Sequence, residues 1–536
     1  MPRVLIADSL EAPGLELMRQ AGIELDERKG LKGAALQEAL RQCDGVVVRS
    51  ATKITAADLE NPGKLRVIVR AGVGVDTIDV AAATRKGILV MNTPGGNTIS
   101  TAEQTIALLM AVARHTAAAD ASVRAGKWGK MIGSQLAGKT IGVIGLGRIG
   151  REVARRARGL DLLVIGFDPF LPPAGAAQVG IEAVSDLKAL LPKCDFLTVH
   201  TPLTDETRDL IGAAELALMP KGARVINCAR GGIINEEALA AALASGHLAG
   251  AALDVFVQEP PPADHPLLKL PNVVVTPHLG ASTVEAQLSV AREAGQLISD
   301  YLVRGVVGFA VNMPAVDKAE MDEMRLYVDL GRRLGLLLAQ TSQGAIQKAK
   351  ILYRGDVAAR STKLITAAFA AGLLEAHLEN VNIVNAGLMA ADRGIEIVQQ
   401  TSSQKGDFST LVRVDLTTDK RVYSAAGTLF GNKHLRLVQL GDYHLDAYMD
   451  GVMLIFQHRD VPGLIGFIGT IFGKQNVNIA QMTVGRQMAG GEAIAVLNLD
   501  SPPPEEAIRE VRSHPQISNV AVVKLPPAGQ MPAWFG

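Results

Sequence analysis

Cysteine is scarce in this chain: Cys43, Cys194 and Cys228 are the three among 536 residues, and no two form a CxxC pair. An odd number without paired spacing gives neither a disulfide framework nor a zinc site, so no metal is expected and a reducing, cytoplasmic compartment is. An excess of charge of either sign is also missing, since Lys plus Arg and Asp plus Glu each total 54. Without a net field to gather a polyanion, nucleic acid is not an expected partner. Long apolar runs are absent too. None approaches the ~18 residues that span a bilayer, and the opening "MPRVLIADSL" meets Asp8 before a signal-like core can form. No membrane partner is expected. The length exceeds what one hydrophobic core usually holds, so several domains are expected.

What is present is alternation. In the first hundred residues the short apolar runs "RVLIAD", "GVVVRS", "RVIVRAG" and "GILVMNTP" are separated by Ala- and Leu-rich helical segments. Continuous apolar strands between helices indicate a parallel sheet covered on both faces. "TISTAEQTIALLMAVARHTAAAD" reads as one long helix, with Ser100 and Glu103 at capping-box spacing. From Lys139 a second α/β unit runs through "KTIGVIG", "LLVIGFDP", "DFLTVHTP", "RVINCAR", "GAALDVF" and "NVVVTPH". After Asn312 the texture changes. "DEMRLYVDLGRRLGLLLAQTS" reads as helix, and "VNIVNAG" and "STLVRVDLTT" as strands, which places an α+β domain at 315–447. The last unit, from "GVMLIFQHRDVPG" onward, reads strand, turn, helix, turn, strand.

"KTIGVIGLGRIGREVA" sets Gly145, Gly147 and Gly150 in GxGxxG spacing after a strand and at the opening of a helix. Such glycines permit a tight turn, close approach of a pyrophosphate and close helix packing, while the helix N-terminus favours phosphate charge. Asp168 ends the next strand roughly 20 residues on, where a carboxylate accepts from ribose hydroxyls. It would repel a 2′-phosphate and no arginine adjoins it in sequence, which favours NAD over NADP.

Arg230, Glu259 and His278 each follow a strand of the second unit, at the edge where open parallel sheets bind ligands. Oxidation of a 2-hydroxy acid needs this set: a cation for the carboxylate, a base for the hydroxyl proton, and a carboxylate to orient that base. The competing structural account is a buried Arg230–Glu259 salt bridge beside a satisfied core histidine. In the first unit, Arg49 and Arg70 end two strands in similar settings. If those strands lie close in the sheet, their guanidiniums can hold a dianion, and a simple glycerate would not need both.

The stretches "GLGRIGREVA", "CDFLTVHTPL", "NCARGG", "GAALDVF" and "PHLGAST" resemble the D-isomer-specific 2-hydroxyacid dehydrogenases, most closely the long form that carries two further C-terminal domains. The resemblance covers essentially the whole chain. It implies two Rossmann-like, doubly wound α/β domains, a substrate-binding one formed by 1–97 plus 283–312 and an NAD-binding one at 98–282. An α+β intervening domain at 315–447 and an α+β ferredoxin-like, ACT-type regulatory domain at 448–525 follow. It implies oxidation of 3-phospho-D-glycerate to 3-phosphohydroxypyruvate with NAD, at the start of L-serine biosynthesis.

The same resemblance assigns substrate binding to Arg230, acid/base work to His278 and its support to Glu259. It sets Arg148 and Ile149 along the pyrophosphate, lines the cofactor pocket with Thr201, Cys228 and Gly280, turns Asp254 toward the nicotinamide amide, and borders the nicotinamide with Val73. Arg49, Arg70 and Ser50 are implied at the substrate phosphate, and Asn97 at its carboxylate. In the last domain His458, Asp460 and Asn478 match residues that hold an amino-acid effector at a dimer interface, with serine the implied effector. A homotetramer is the implied assembly. Arg354, Arg360 and Lys363 of the intervening domain could serve an anion, or form a solvated basic face. Two other readings stay open here: a hydroxypyruvate or 2-oxoglutarate reductase of the same family, and an NAD-sensing corepressor or scaffold on the same fold.

Overall fold

The computed structural model describes residues 1–171, 176, 180–313, 318–404, 406–431 and 433–532. The start of the span expected for the intervening domain, 315–317, lies outside the described residues.

The first apolar runs become β1 (Arg3–Ile6), β2 (Glu24–Asp26), β3 (Gly45–Val48), β4 (Val67–Arg70) and β5 (Leu89–Asn92), a parallel sheet in the order β2-β1-β3-β4-β5. All of Val46, Val47, Val48, Val67, Ile68 and Val69 are buried, as expected where both faces are covered. The strand order reverses between β1 and β3, which opens a crevice at their C-terminal ends.

The second unit holds β6 (Thr140–Ile144), β7 (Leu163–Phe167), β8 (Glu182–Ala183), β9 (Phe196–Val199), β10 (Arg224–Asn227), β11 (Gly250–Leu253) and β12 (Val273–Val275). They form a parallel sheet ordered β12-β11-β10-β9-β6-β7-β8, which reverses between β6 and β9. Both α/β units are therefore doubly wound.

Two helices join the units. Thr98–Arg114 leads from the first to the second, and Val284–Arg304 returns to pack on the helix Ala12–Gln20. That contact is close because Gly14 and Gly295 face one another: a Cβ on Gly14 would lie 2.3 Å from the Ala291 carbonyl oxygen, and one on Gly295 would lie 2.5 Å from that of Gly14. The returning chain then adds a bridge between Ala310 and Met91, and the Asn312 side chain bonds to Val90, Thr84 and Ile88.

Three expectations need correcting. The first joining helix starts at Thr98, so Ser100 is not a cap; its hydroxyl donates to the Gly280 carbonyl at 2.7 Å, and Glu103 pairs with Arg156. The helix also breaks at His115, whose φ of 56° turns the chain by 64°. "VNIVNAG" is a turn leading into the helix Ala386–Ala391, not a strand. There the Asn382 side chain accepts from the Val384 N–H, and the Asn385 side chain accepts from the Asn382 N–H, local bonds that override the β-branched composition.

The C-terminal half carries two further sheets. β13 (Ile346–Gly355), β14 (Glu396–Ser402), β15 (Thr410–Thr418), β16 (Val422–Phe430), β17 (His434–Leu440) and β18 (Tyr443–Tyr448) form a mixed sheet ordered β14-β13-β15-β16-β17-β18, covered by helices Lys318–Thr341 and Thr362–Glu375. β19 (Val452–Arg459), β20 (Ile479–Arg486), β21 (Glu492–Leu499) and β22 (Ile517–Lys524) form an antiparallel sheet ordered β20-β21-β19-β22, with helices Leu464–Lys474 and Glu505–Ser513 completing a ferredoxin-like βαββαβ unit. Arg333, buried to 1% exposure, ties the two together: it pairs with Asp329 and donates to the carbonyls of Met449, Pro526 and Pro527. No single described helix is long and apolar enough to cross a membrane.

Candidate active site

The loop after β6 gives each glycine of the fingerprint a visible task. Gly145 has φ +87°, and a Cβ there would lie 2.7 Å from the His200 carbonyl oxygen of the loop after β9. Gly150 brings the helix Arg148–Arg158 down onto the turn, since its Cβ would lie 2.0 Å from the Gly145 carbonyl oxygen. Among the described residues nothing stands within 4 Å of a Cβ at Gly147, which leaves room for a ligand. Thr201 faces the same turn, and its buried hydroxyl has no partner among the described residues. Asp168 accepts from the N–H groups of Leu146 (2.8 Å) and Phe170 (2.9 Å), which fixes its carboxylate beside the glycine loop. These features fit a dinucleotide.

Burial pushes the Cys228 thiol up to about 12, so it serves as an apolar wall and not as a nucleophile. Burial also pushes His200 down to about 3, which keeps that imidazole neutral. Arg148 opens the helix, and its guanidinium lies 5.5 Å from the Phe309 ring, at the junction between the two units. Ile149 follows it in the first turn.

His278 and Glu259 meet across the loops after β12 and β11, with His278 Nδ1 2.7 Å from a Glu259 carboxylate oxygen. Burial raises the Glu259 carboxyl, but the hydrogen bond and charge of His278, the Phe256 N–H and the charge of Arg230 together hold it below the ordinary glutamate value. His278 itself has φ 56°, a left-handed backbone that costs a β-carbon residue roughly 1–2 kcal/mol. Asp254 secures that conformation: its carboxylate accepts from Thr276 Oγ1 (2.5 Å) and from the N–H groups of Leu279 and Gly280 (2.8 Å each), and its carbonyl accepts from the His278 N–H. Gly280 in turn receives the hydroxyls of Ser100 and Thr101.

β3 and β4 are neighbours, with Val48 opposite Arg70, so Arg49 and Arg70 emerge side by side. The Asp8 carboxylate at the end of β1 accepts from the Arg49 and Thr52 N–H groups and fixes this turn. Arg70 folds over Gly72, where a Cβ would collide with Nη1 at 2.5 Å, and its buried Nε has no partner. Burial, then the charges of Arg230 and Arg49, lower its guanidinium to about 10. Arg230 forms no buried bridge with Glu259; its Nε donates to Asp76 at 2.8 Å. Asn97 precedes the joining helix, and its buried Oδ1 is unpartnered. Val73 is held through its carbonyl by Asn92.

A cavity of about 760 Å³ opens beside Arg49 and Ser50. Ser282, Thr283, Gln287 and Lys29 also line it. Neither these residues nor Asp8 and Asp76 were expected from the sequence. No local pattern marks Asp76 or Gln287, because each meets its partner only in the fold.

In the C-terminal sheet His458 is buried, with Nδ1 on the Arg459 carbonyl and Nε2 unpartnered. Asp460 accepts from Arg486 at 2.6 Å and from the Gly490 N–H. Asn478 donates to Asp500 at 2.7 Å and precedes the opposite end of β20, so one chain does not bring it to the other two. In the intervening unit Arg360 is engaged by Glu323, while among the described residues the buried Nε of Arg354 has no partner; Lys363 lies exposed on the helix Thr362–Glu375.

Two doubly wound domains, a dinucleotide-fitting glycine turn at one switch point and a His–Glu pair beside three arginines define a dehydrogenase of the two-domain dinucleotide-binding class. Residues 106–280 match the family "D-isomer specific 2-hydroxyacid dehydrogenase, NAD binding domain", 323–441 the "D-3-phosphoglycerate dehydrogenase intervening domain" and 452–516 the ACT domain. The D-3-phosphoglycerate dehydrogenase of Methanocaldococcus jannaschii is 40% identical over 528 residues, 98% of this chain and 100% of that protein; that of Bacillus subtilis is 40% identical over 530 residues with the same coverage. Among solved structures, the TT0316 protein of Thermus thermophilus is 36% identical with a TM-score of 0.53, covering 58% of this chain and 99% of its own. The NAD+-bound 3-phosphoglycerate dehydrogenase of Entamoeba histolytica is 28% identical with a TM-score of 0.50, covering 59% and 99%. The chain belongs to the D-3-phosphoglycerate dehydrogenase family.

Proposed function

We propose that the protein oxidises 3-phospho-D-glycerate to 3-phosphohydroxypyruvate with NAD, the first step toward L-serine. The observation that carries this reading is the convergence of Arg49, Arg70 and Arg230 on the crevice that also holds the His278–Glu259 pair. One carboxylate and one phosphate need more than one cation.

A bound NAD would supply the hydride acceptor for C2. Arg230 holds the substrate carboxylate, with the Asn97 amide beside it. Arg49 and Arg70, with Ser50, take the phosphate. With Nδ1 occupied by Glu259, His278 offers Nε2 to the C2 hydroxyl and takes its proton; the adjacent carboxylate stabilises the imidazolium that results. Arg148, Ile149 and Gly147 would hold the pyrophosphate of NAD, Asp168 its ribose, and Val73, Asp254 and Gly280 its nicotinamide end. Swinging about the two joining helices, the first unit brings its arginines onto a substrate resting on Arg230, and this closure excludes water.

Serine is the proposed effector, bound by His458 and Asp460 of one copy and Asn478 of another. The unpartnered His458 Nε2 supports a ligand there, and the distance of Asn478 along the sheet calls for two copies. A homotetramer is the proposed assembly; Trp128 and Ile132, 89% and 94% exposed, offer apolar surface for it. The three cysteines, all free and buried, suit a cytoplasmic location.

The test is NADH formation with 3-phospho-D-glycerate and with D-glycerate, in the wild type and in an Arg49→Ala, Arg70→Ala double variant. The wild type should strongly prefer the phosphorylated acid. Each lost charge-assisted contact should reduce that preference about 10- to 100-fold. Equal activity on both acids would defeat the substrate assignment.

A further inference from the structure

The loop after β4 reaches across the crevice to the arginine of the second unit. Asp76 Oδ2 accepts from Arg230 Nε at 2.8 Å although 154 positions separate the two residues, and Arg230 Nη1 donates to the Ala229 carbonyl at 2.6 Å. Gly74 completes the cradle, since a Cβ there would stand 1.7 Å from Arg230 Nη2. The guanidinium is thus fixed at two nitrogens and pressed against backbone on one side. Its outer N–H groups remain for a ligand.

The side chains of Arg230 and Asp76 are 26% and 49% exposed, and a pair so open to solvent adds little to stability. Its consequence lies in orientation. Arg70 stands close enough to both Arg230 and Arg49 for their charges to act on it. Free to rotate, Arg230 would turn away from Arg70; an acceptor on Nε holds it in place.

We propose that Asp76 is a positioning residue, contributed by the substrate-binding unit, that aims the fork of Arg230 at the substrate carboxylate. The inference rests on the dehydrogenase reading above and adds to it a residue from the opposite wall of the crevice.

The test is a double-mutant cycle. kcat and KM for 3-phospho-D-glycerate and for NAD are measured in the wild type, Asp76→Ala, Asp76→Asn, Arg230→Lys and the Asp76→Ala, Arg230→Lys double variant. Asp76→Ala is expected to raise KM for the acid about 10- to 100-fold while KM for NAD stays constant. Asp76→Asn keeps an oxygen for Nε and should remain within about tenfold of wild type. Lysine has no Nε–H fork to orient, so Asp76→Ala should add less than about threefold to Arg230→Lys. The same cost in both backgrounds, or an Asn variant as impaired as the Ala variant, overturns the proposal. If the wild type turns over a different 2-hydroxy acid, the substrate assignment fails by itself. The cycle on that acid still decides the role of Asp76, because every such acid carries the carboxylate.

Discussion

His278 Nδ1 lies 2.7 Å from Glu259 Oε2, and the two residues arrive from loops that follow adjacent parallel strands. The bond settles which imidazole nitrogen remains for chemistry. His278 acts on Glu259 more strongly than the more remote charge of Arg230 does. His278→Ala should therefore lower kcat by about 10²–10⁴, the scale of a lost acid/base, and leave NAD affinity nearly unchanged. Glu259→Gln, which keeps a bond to Nδ1 without the charge, should cost less. Steady-state kinetics and NAD titration check both.

Gly147 and Gly150 separate ligand space from packing space. At Gly147 an added methyl meets nothing within 4 Å among the described residues, so Gly147→Ala should fold normally and weaken NAD binding. At Gly150 the methyl would collide with the Gly145 carbonyl, and Gly150→Ala should lose about 1–3 kcal/mol of stability by overpacking. Thermal melts with and without NAD tell the two apart. Equal loss of stability in both variants would contradict the ligand reading of the Gly147 space.

Much of this was legible in the sequence because period and punctuation are local. The runs around Val46, Ile68 and Val143 are buried on both sides, so their apolar continuity survives translation into strands. Gly145, Gly147 and Gly150 could be found because their spacing is set by one turn. Asp76 and Gln287 could not: each acquires its role from a residue far along the chain, Arg230 for the one and the Arg49 wall for the other. "VNIVNAG" misled for the opposite reason, since asparagine side-chain bonds within a few residues outweighed a β-branched composition.

Glu293 sits on the returning helix against the Gly95–Gly96 turn. Burial, its largest influence, raises its carboxyl above the ordinary glutamate value, against the Gly95 and Gly96 N–H groups and the charge of Arg148, which act the other way. A carboxyl raised by folding contributes its full stability below the unfolded value near pH 4.3, and loses it as pH rises through the folded value. At neutral pH the charged side chain therefore detracts from stability. Glu293→Gln should melt above wild type at about pH 8, with the gap closing toward about pH 4. A gap that widened on acidification would show that the hydrogen bonds, not burial, dominate.

The position of Asn478 makes a serine response depend on assembly. β19 and β20 both pair with β21, which places His458 near Ala493 at one end of the sheet and leaves Asn478 beyond Leu499 at the other. A small amino acid cannot touch both in one chain, so the proposed serine site requires residues from two copies. Serine should then stabilise the association of the C-terminal domains, and its effect on kcat should fade when the enzyme is diluted into separate chains. A coupling of about 1–3 kcal/mol corresponds to a 5- to 150-fold effect. His458→Ala should remove the response by taking away the buried Nε2, which has no partner among the described residues. Initial rates across serine and protein concentrations, read beside sedimentation, provide the check. A serine effect that persisted in fully dissociated chains would place the effector within a single domain.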